Sequence, residues 1–204
     1  MKKTSWWLLL FLSISVVGYA LFAYSVLPLG NVVHPDMKAV YQQKPLLIYT
    51  HVFGAVVALA LGPFQFSSKL RQRYLTAHRW SGRAYLLFGV LFGGLAGLFL
   101  AQHAFGGLIS QVGFSLSALV WLFTGSMALV SILSGDTQAH RRWMVRNFAL
   151  TFSAVTLRMY LGAFTAAGVP FAEFYPLLAW ISWVPNILLA EWIFNRQESQ
   201  AVTS

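Results

Sequence analysis

Two stretches of this chain carry the same reactive side chains at nearly the same spacing. They are Ala77-His78-Arg79-Trp80, followed by Arg83, and Ala139-His140-Arg141-Arg142-Trp143, followed by Arg146. Neutral imidazoles ligate metals, guanidiniums grip carboxylates, and indoles settle at the lipid–water boundary. Two imidazoles from different helices at one depth are what a six-coordinate haem iron requires. On that reading His78 and His140 are the axial pair, and Arg79, Arg83, Arg141 and Arg142 hold the two propionates by charge-assisted hydrogen bonds. The same residues also suit a plain membrane boundary, where arginines set topology and histidine is common.

His51 lies about five residues inside an apolar run, in Tyr49-Thr50-His51-Val52-Phe53-Gly54. A polar group at that depth must find a partner or face a polar cavity, because an unsatisfied one in hydrocarbon is costly. A helix carbonyl would serve; so would a metal, with His103 nearest in depth as a second ligand. His34 precedes a proline in a loop and reads as ordinary surface. Arg158 stands about 11 residues into the fifth apolar run, roughly 16 Å deep at ~1.5 Å per residue. Even the mildest cost for an arginine there is ~2.5 kcal/mol, so it must be paired or solvated internally. Asn186 reaches similar depth on the sixth run. The residue types allow an Arg–Asn or Arg–carbonyl clamp, or a site for an anion or a quinone carbonyl. Glu191 sits nearer the end of its run and reads as interfacial.

These residues need a membrane to position them. The 204 residues are 58% hydrophobic and 9% charged, with mean hydropathy +0.65, far from the roughly 25% charged residues of a soluble domain. Six apolar runs are long enough to cross ~30 Å of hydrocarbon: residues 5–29, 46–66, 84–101, 108–133, 148–169 and 174–194. The connections are short, so the expectation is an all-α, six-transmembrane-helix bundle forming one integral domain over residues 1–204, with a disordered tail over 197–204. The first run continues to Leu29, too long for the apolar region of a secretory signal, and reads as a retained helix.

The net charge of +9 is distributed by side. Lys2, Lys3, Lys69, Arg71, Arg73, Arg79, Arg83, Arg141, Arg142, Arg146 and Arg196 fall on one side, and only Lys38 and Lys44 on the other. That asymmetry orients the chain with both termini in the cytoplasm and makes the bilayer, with its anionic head groups, the partner of the basic surface. Nucleic acid is not the partner. Trp6, Trp7, Trp80, Trp143 and Trp192 fall near the same boundary. Cysteine is absent, which excludes thioether-bound haem, iron–sulfur clusters and thiol chemistry. The five acids are scattered over both sides, so a zinc or di-iron site is poorly served. Gly89, Gly93 and Gly97 recur every fourth residue, a stripe that admits a neighbouring helix or the flat face of a macrocycle. The near-repeat of the His–Arg–Trp units allows a two-helix duplication.

Several segments together resemble DUF2306, an uncharacterised family of bacterial predicted membrane proteins: His51-Val52-Phe53-Gly54 through Leu61-Gly62-Pro63-Phe64-Gln65-Phe66, then His78-Arg79-Trp80-Ser81-Gly82-Arg83-Ala84-Tyr85, His140-Arg141-Arg142-Trp143-Met144-Val145-Arg146, Leu157-Arg158 and Trp183-Val184-Pro185-Asn186. More loosely, the layout is similar to dihaem cytochromes of the b561 type. That likeness implies histidines on four central helices forming two haem sites, with His51, His78 and His140 in corresponding places. The fourth run holds no histidine, so His103 would have to supply the missing ligand.

The expected function is a b-type haem protein of the bacterial cytoplasmic membrane that transfers electrons, with a quinone or a respiratory-chain protein as partner. Two alternatives stand beside it: a small permease using Arg158 and His51, and a non-catalytic factor assisting assembly of a membrane complex.

Overall fold

The computed structural model describes the backbone of residues 3–202 and the side chains of residues 4–194. Lys2 therefore lies outside the described residues, as do the side chains of Lys3 and Arg196. Every regular element described is helical. The helices are α1 (Lys3–Ser25), α2 (Pro35–Gln43), α3 (Pro45–Gln65), α4 (Ser68–Arg73), α5 (Leu75–Ala84), α6 (Gly93–Ala101), α7 (Gly107–Leu133), α8 (Thr137–Thr151), α9 (Ser153–Ala166), α10 (Phe171–Ile181) and α11 (Val184–Val202). A π-helical segment, Tyr85–Phe92, joins α5 to α6 without a break.

Among the described residues, six stretches are long and apolar enough to cross a membrane: Thr4–Ser25, Pro45–Gln65, Leu75–Ala101, Gly107–Leu133, Thr137–Ala166 and Phe171–Phe194. The second span packs against the first and third, and the fourth against the third, fifth and sixth. Leu8, Phe11, Phe22, Phe99, Phe123 and Leu188 are each more than half exposed. Such a belt would aggregate in water and is the ordinary lipid-facing surface of a membrane bundle. The interior holds Ala58, Tyr85, Trp121, Phe148 and Trp183, all buried.

The glycine stripe is a helix-packing face. A methyl group on Gly54 would lie 2.7 Å from Gly93 Cα, and one on Gly89 2.7 Å from the Ala58 side chain. The second span thus covers the stripe, and no wall remains there for a macrocycle.

Several boundaries differ from those read off hydropathy. The third and fifth spans begin at Leu75 and Thr137 rather than 84 and 148, so His78 and His140 lie inside continuous helices, not in loops before them. Arginine and polar residues lower hydropathy over these first turns without opposing helix formation. Gly135, at φ +83, ends the preceding turn, and the Asp136 carboxylate caps α8 by accepting from the Ala139 N–H at 2.8 Å. The first span stops at Ser25, short of Pro28 and Gly30. The tail expected to be disordered from Gln197 is helical through Val202, in keeping with a segment that holds no Pro or Gly; residues 203–204 lie outside the described range.

The fifth and sixth spans are each broken mid-course. Around Phe152, between α8 and α9, the hydroxyls of Thr151 and Thr156 bond back to the carbonyls of Asn147 and Phe152, a competition that bends helices. Between α10 and α11, Pro185 cannot continue a helix running from Ile181, and is accommodated at the first turn of the next one.

Candidate functional site

Six spans and the short helix α2 enclose a cavity of about 340 Å³ in the half of the bundle away from the basic residues. The first span contributes Val17, Ala20 and Tyr24; α2 contributes Asp36, Met37 and Tyr41; the second contributes His51 and Leu59. Gly97, Trp121, Thr151, Arg158, Tyr175 and Ser182 complete the wall from the other four spans. Both helix breaks border it, since Thr151 and Ser153 flank the first and Ser182 lies in the second. Interrupted helices beside an intramembrane cavity expose backbone groups where protein or ligand can satisfy them.

His51 and Arg158 share this cavity. At ~1.5 Å per residue, His51 is roughly 9 Å from the start of α3 and Arg158 roughly 12 Å from the end of α9, so the two lie at similar depth. The His51 ring rests on Gly97, where a methyl group would stand 2.7 Å from Nδ1, and Nδ1 meets the Gly93 carbonyl oxygen at 2.9 Å. With Nδ1 donating its proton there, Nε2 is the remaining nitrogen.

Arg158 donates one hydrogen bond, from Nη1 to the Ala154 carbonyl at 2.9 Å, and its Cζ lies 5.4 Å from the centroid of the Tyr19 ring. A guanidinium has five N–H donors. Among the described residues no carboxylate forms an ion pair with it. Tyr24, from the first span, Tyr41, from α2, and His51 line the same cavity wall as Arg158. Burial pushes the Tyr41 hydroxyl up to about 12, with the neighbouring Tyr175 contributing in the same direction.

Asn186 is not Arg158's partner. Its amide donates to the Ala149 carbonyl at 3.2 Å, to Thr156 Oγ1 at 3.1 Å and to the Ser182 carbonyl at 3.2 Å. It ties the two broken spans together at their breaks, and of the two clamps the residue types allow, Arg–Asn or Arg–carbonyl, the structure shows the Arg–carbonyl one.

Below the cavity a buried polar network forms its floor. Tyr85 donates to Asn147 Oδ1 at 2.7 Å and meets Thr151 Oγ1 at 2.7 Å. The Trp121 indole donates to Thr151 Oγ1 at 2.9 Å, and the Asn147 amide reaches the Trp121 carbonyl and Thr124 Oγ1. Every member is satisfied, so the network fixes the third, fourth and fifth spans in one register.

The remaining histidines sort as follows. His78 and His140 lie within electrostatic range of one another, on α5 and α8. His140 Nδ1 meets the Ala128 carbonyl at 2.8 Å, whereas His78 Nδ1 is buried without a hydrogen-bond partner. Arg79, Arg83 and Arg141 are exposed at the rim, and Arg83 lies 4.8 Å from the centroid of the Trp80 ring. Arg146 stands equally close to Trp143, and it also forms a two-point ion pair with Glu191. Arg142 borders a shallow hollow with Asp136 and Trp143. His103 is exposed and edges the mouth of the large cavity. His34, expected to be plain surface, stacks on Phe171 at 4.1 Å between ring centroids and approaches Asp36 at 3.5 Å. Among the described residues no three His, Asp or Glu side chains converge as a metal-holding group.

Tyr24, Tyr41, Tyr175, Asp36 and Trp121 were not legible as site residues. Tyrosine in an apolar span reads as packing, and α2 is too short and polar to register as part of a bundle. Only the expense of Arg158 and His51 in hydrocarbon marked the place.

The family described as Predicted membrane protein (DUF2306) matches residues 48–194, a range that includes His51, Arg158 and both helix breaks. No curated protein and no solved structure matches the chain.

Proposed function

Because this chain belongs to DUF2306, a family of predicted membrane proteins, and gathers its deep polar groups about one cavity, we propose that it is a permease-type carrier. Its cargo is a small molecule with a hydrogen-bond-accepting head group. Arg158 holds the head group, and His51, Tyr24 and Tyr41 complete the polar shell. The observation that carries this reading is the Arg158 guanidinium, which faces the cavity with most of its donors unused by protein. A cation kept unpaired at that depth costs stability, and binding a ligand is the function that compensates for it.

The test is ligand-induced stabilisation of the purified protein in nanodiscs, using small carboxylates, amides and a short-tailed benzoquinone. At least one should raise the unfolding temperature of the wild type and leave Arg158→Gln unchanged. If no probe does so, the reading is wrong.

A second reading, haem b, rests on a specific observation: His51 and His140 are each anchored through Nδ1 to a backbone carbonyl, which is how protein orients imidazoles whose Nε2 ligates a metal. His78 and His140 would then hold an inner haem, and His51 with His103 an outer one. The haem would supply reversible one-electron chemistry. Arg79, Arg83, Arg141 and Arg142 suit propionates only if these reach the rim. A Soret band in protein purified from haem-replete cells, lost in His140→Ala, supports this reading; its absence rejects it.

For either reading we place the protein in the bacterial cytoplasmic membrane, with the basic end of the bundle and both termini in the cytoplasm, on the strength of the charge asymmetry.

A further inference from the structure

We propose that the cavity ligand is a small amphipathic monoanion, an organic acid with one carboxylate and a compact apolar body. The inference rests on the carrier reading above and narrows it to one substrate class.

Charge balance decides the head group. Among the described residues, Arg158 is the sole Lys or Arg side chain in the wall of the cavity, and Asp36 is the sole carboxylate there. Asp36 is 61% exposed at the mouth, where water screens it, and its near neighbour is His34 at 3.5 Å rather than Arg158. The deep part of the cavity therefore carries one uncompensated positive charge. A neutral ligand would leave it so, and a dianion would replace it with an uncompensated negative one. A monoanion neutralises it within charge-assisted hydrogen bonds, the strong class of such bonds. A carboxylate accepts from the planar guanidinium fork at two points, and Tyr24 and Tyr41 line the same cavity as further polar partners.

The walls decide the rest. Val17, Val52, Val56, Leu59 and Leu157 face the same space, and such a surface rewards hydrocarbon. A bare inorganic ion would leave it empty. A volume of about 340 Å³ suits a body of aryl-alkyl size and excludes a long lipid chain held whole.

The experiment compares isosteres on protein in nanodiscs at fixed salt: 4-phenylbutyrate, its neutral amide 4-phenylbutyramide, a short-tailed benzoquinone, inorganic phosphate and chloride. 4-Phenylbutyrate should bind about tenfold more tightly than the amide, the difference one charge-assisted contact makes. Arg158→Gln should erase that preference so that acid and amide bind alike. Arg158→Lys, which keeps the charge and loses the fork, should weaken the acid yet still favour it over the amide. Size-exclusion and helical circular dichroism confirm that both variants fold. If the amide or the quinone binds through Arg158 as tightly as the acid, the carrier reading stands and the monoanion is overturned. If chloride or phosphate alone reproduces the effect of the acid, the organic body is overturned. If no probe binds the wild type, both are overturned.

Discussion

At the scale of single residues, the molecule separates polar groups that are satisfied from those that are not. Tyr85 is fully buried and bonded to Asn147 and Thr151, so it belongs to the first kind. Tyr85→Phe keeps the ring and removes the hydroxyl, leaving Asn147 Oδ1 without its donor in an apolar interior. The expected cost is about 1–3 kcal/mol, the ordinary penalty for an orphaned buried polar group. A titration with a denaturing detergent, followed by circular dichroism, should show that loss while ligand-induced stabilisation persists. Arg158 is of the second kind. Arg158→Leu removes a charge that contributes no ion pair among the described residues, and it should leave the empty protein as stable as the wild type or more so. A marked loss of stability in Arg158→Leu would mean that its contacts with Ala154 and Tyr19 are structural after all.

At the scale of elements, the close crossing of the second and third spans is what sets the cavity. A methyl at Gly54 would stand 2.7 Å from Gly93 Cα and 2.8 Å from the Phe88 carbonyl, both backbone atoms that cannot step aside. Gly54→Ala should therefore destabilise by ~1–3 kcal/mol through overpacking. Gly18→Ala, on the first span with nothing within 4 Å, should be neutral or stabilising by up to ~1 kcal/mol, because alanine is the better helix former. The short helix α2 is the other element with a measurable signature. The folded Tyr41 hydroxyl titrates near 12 and the unfolded one near 10, so its contribution is complete below pH 10 and fades as pH rises from 10 to 12. Tyr41→Phe should flatten the alkaline loss of stability over that window.

How much of this was legible follows from what each feature contrasts with. Six spans stand out because hydrocarbon tolerates few charges. Their starts at the basic end do not, because Arg79, Arg83, Arg141 and Arg142 lower hydropathy while the helix continues. The break before Pro185 was present in the residues but hidden by apolar continuity. The cavity has no local pattern at all: six spans and α2 each contribute to its wall, and only the two residues that are expensive in lipid, Arg158 and His51, betray it.

At the scale of the whole molecule, the bundle is polarised. One end carries Arg71, Arg73, Arg79, Arg83, Arg141 and Arg142, with Trp7, Trp80 and Trp192 more than half exposed beside them; the other carries α2, Lys38, Lys44 and the mouth of the cavity. Basic residues near span ends are retained in the cytoplasm during insertion, so the cavity mouth should open to the opposite, external side. The absence of cysteine makes this directly measurable, since any introduced thiol is unique. Lys38→Cys, on α2, should react with a membrane-impermeant maleimide in intact cells. Gln138→Cys, on the first turn of α8, should react only after the membrane is opened. Both positions are exposed in the folded chain, so accessibility reports the side of the membrane and not burial. The reverse pattern would invert the topology, and the mouth would then face the cytoplasm, turning an uptake carrier into one loaded from within. Ligand added outside should, in the expected orientation, slow labelling of Met37→Cys in proportion to its occupancy, because Met37 lines the cavity, and should leave labelling of the exposed Lys38→Cys unchanged.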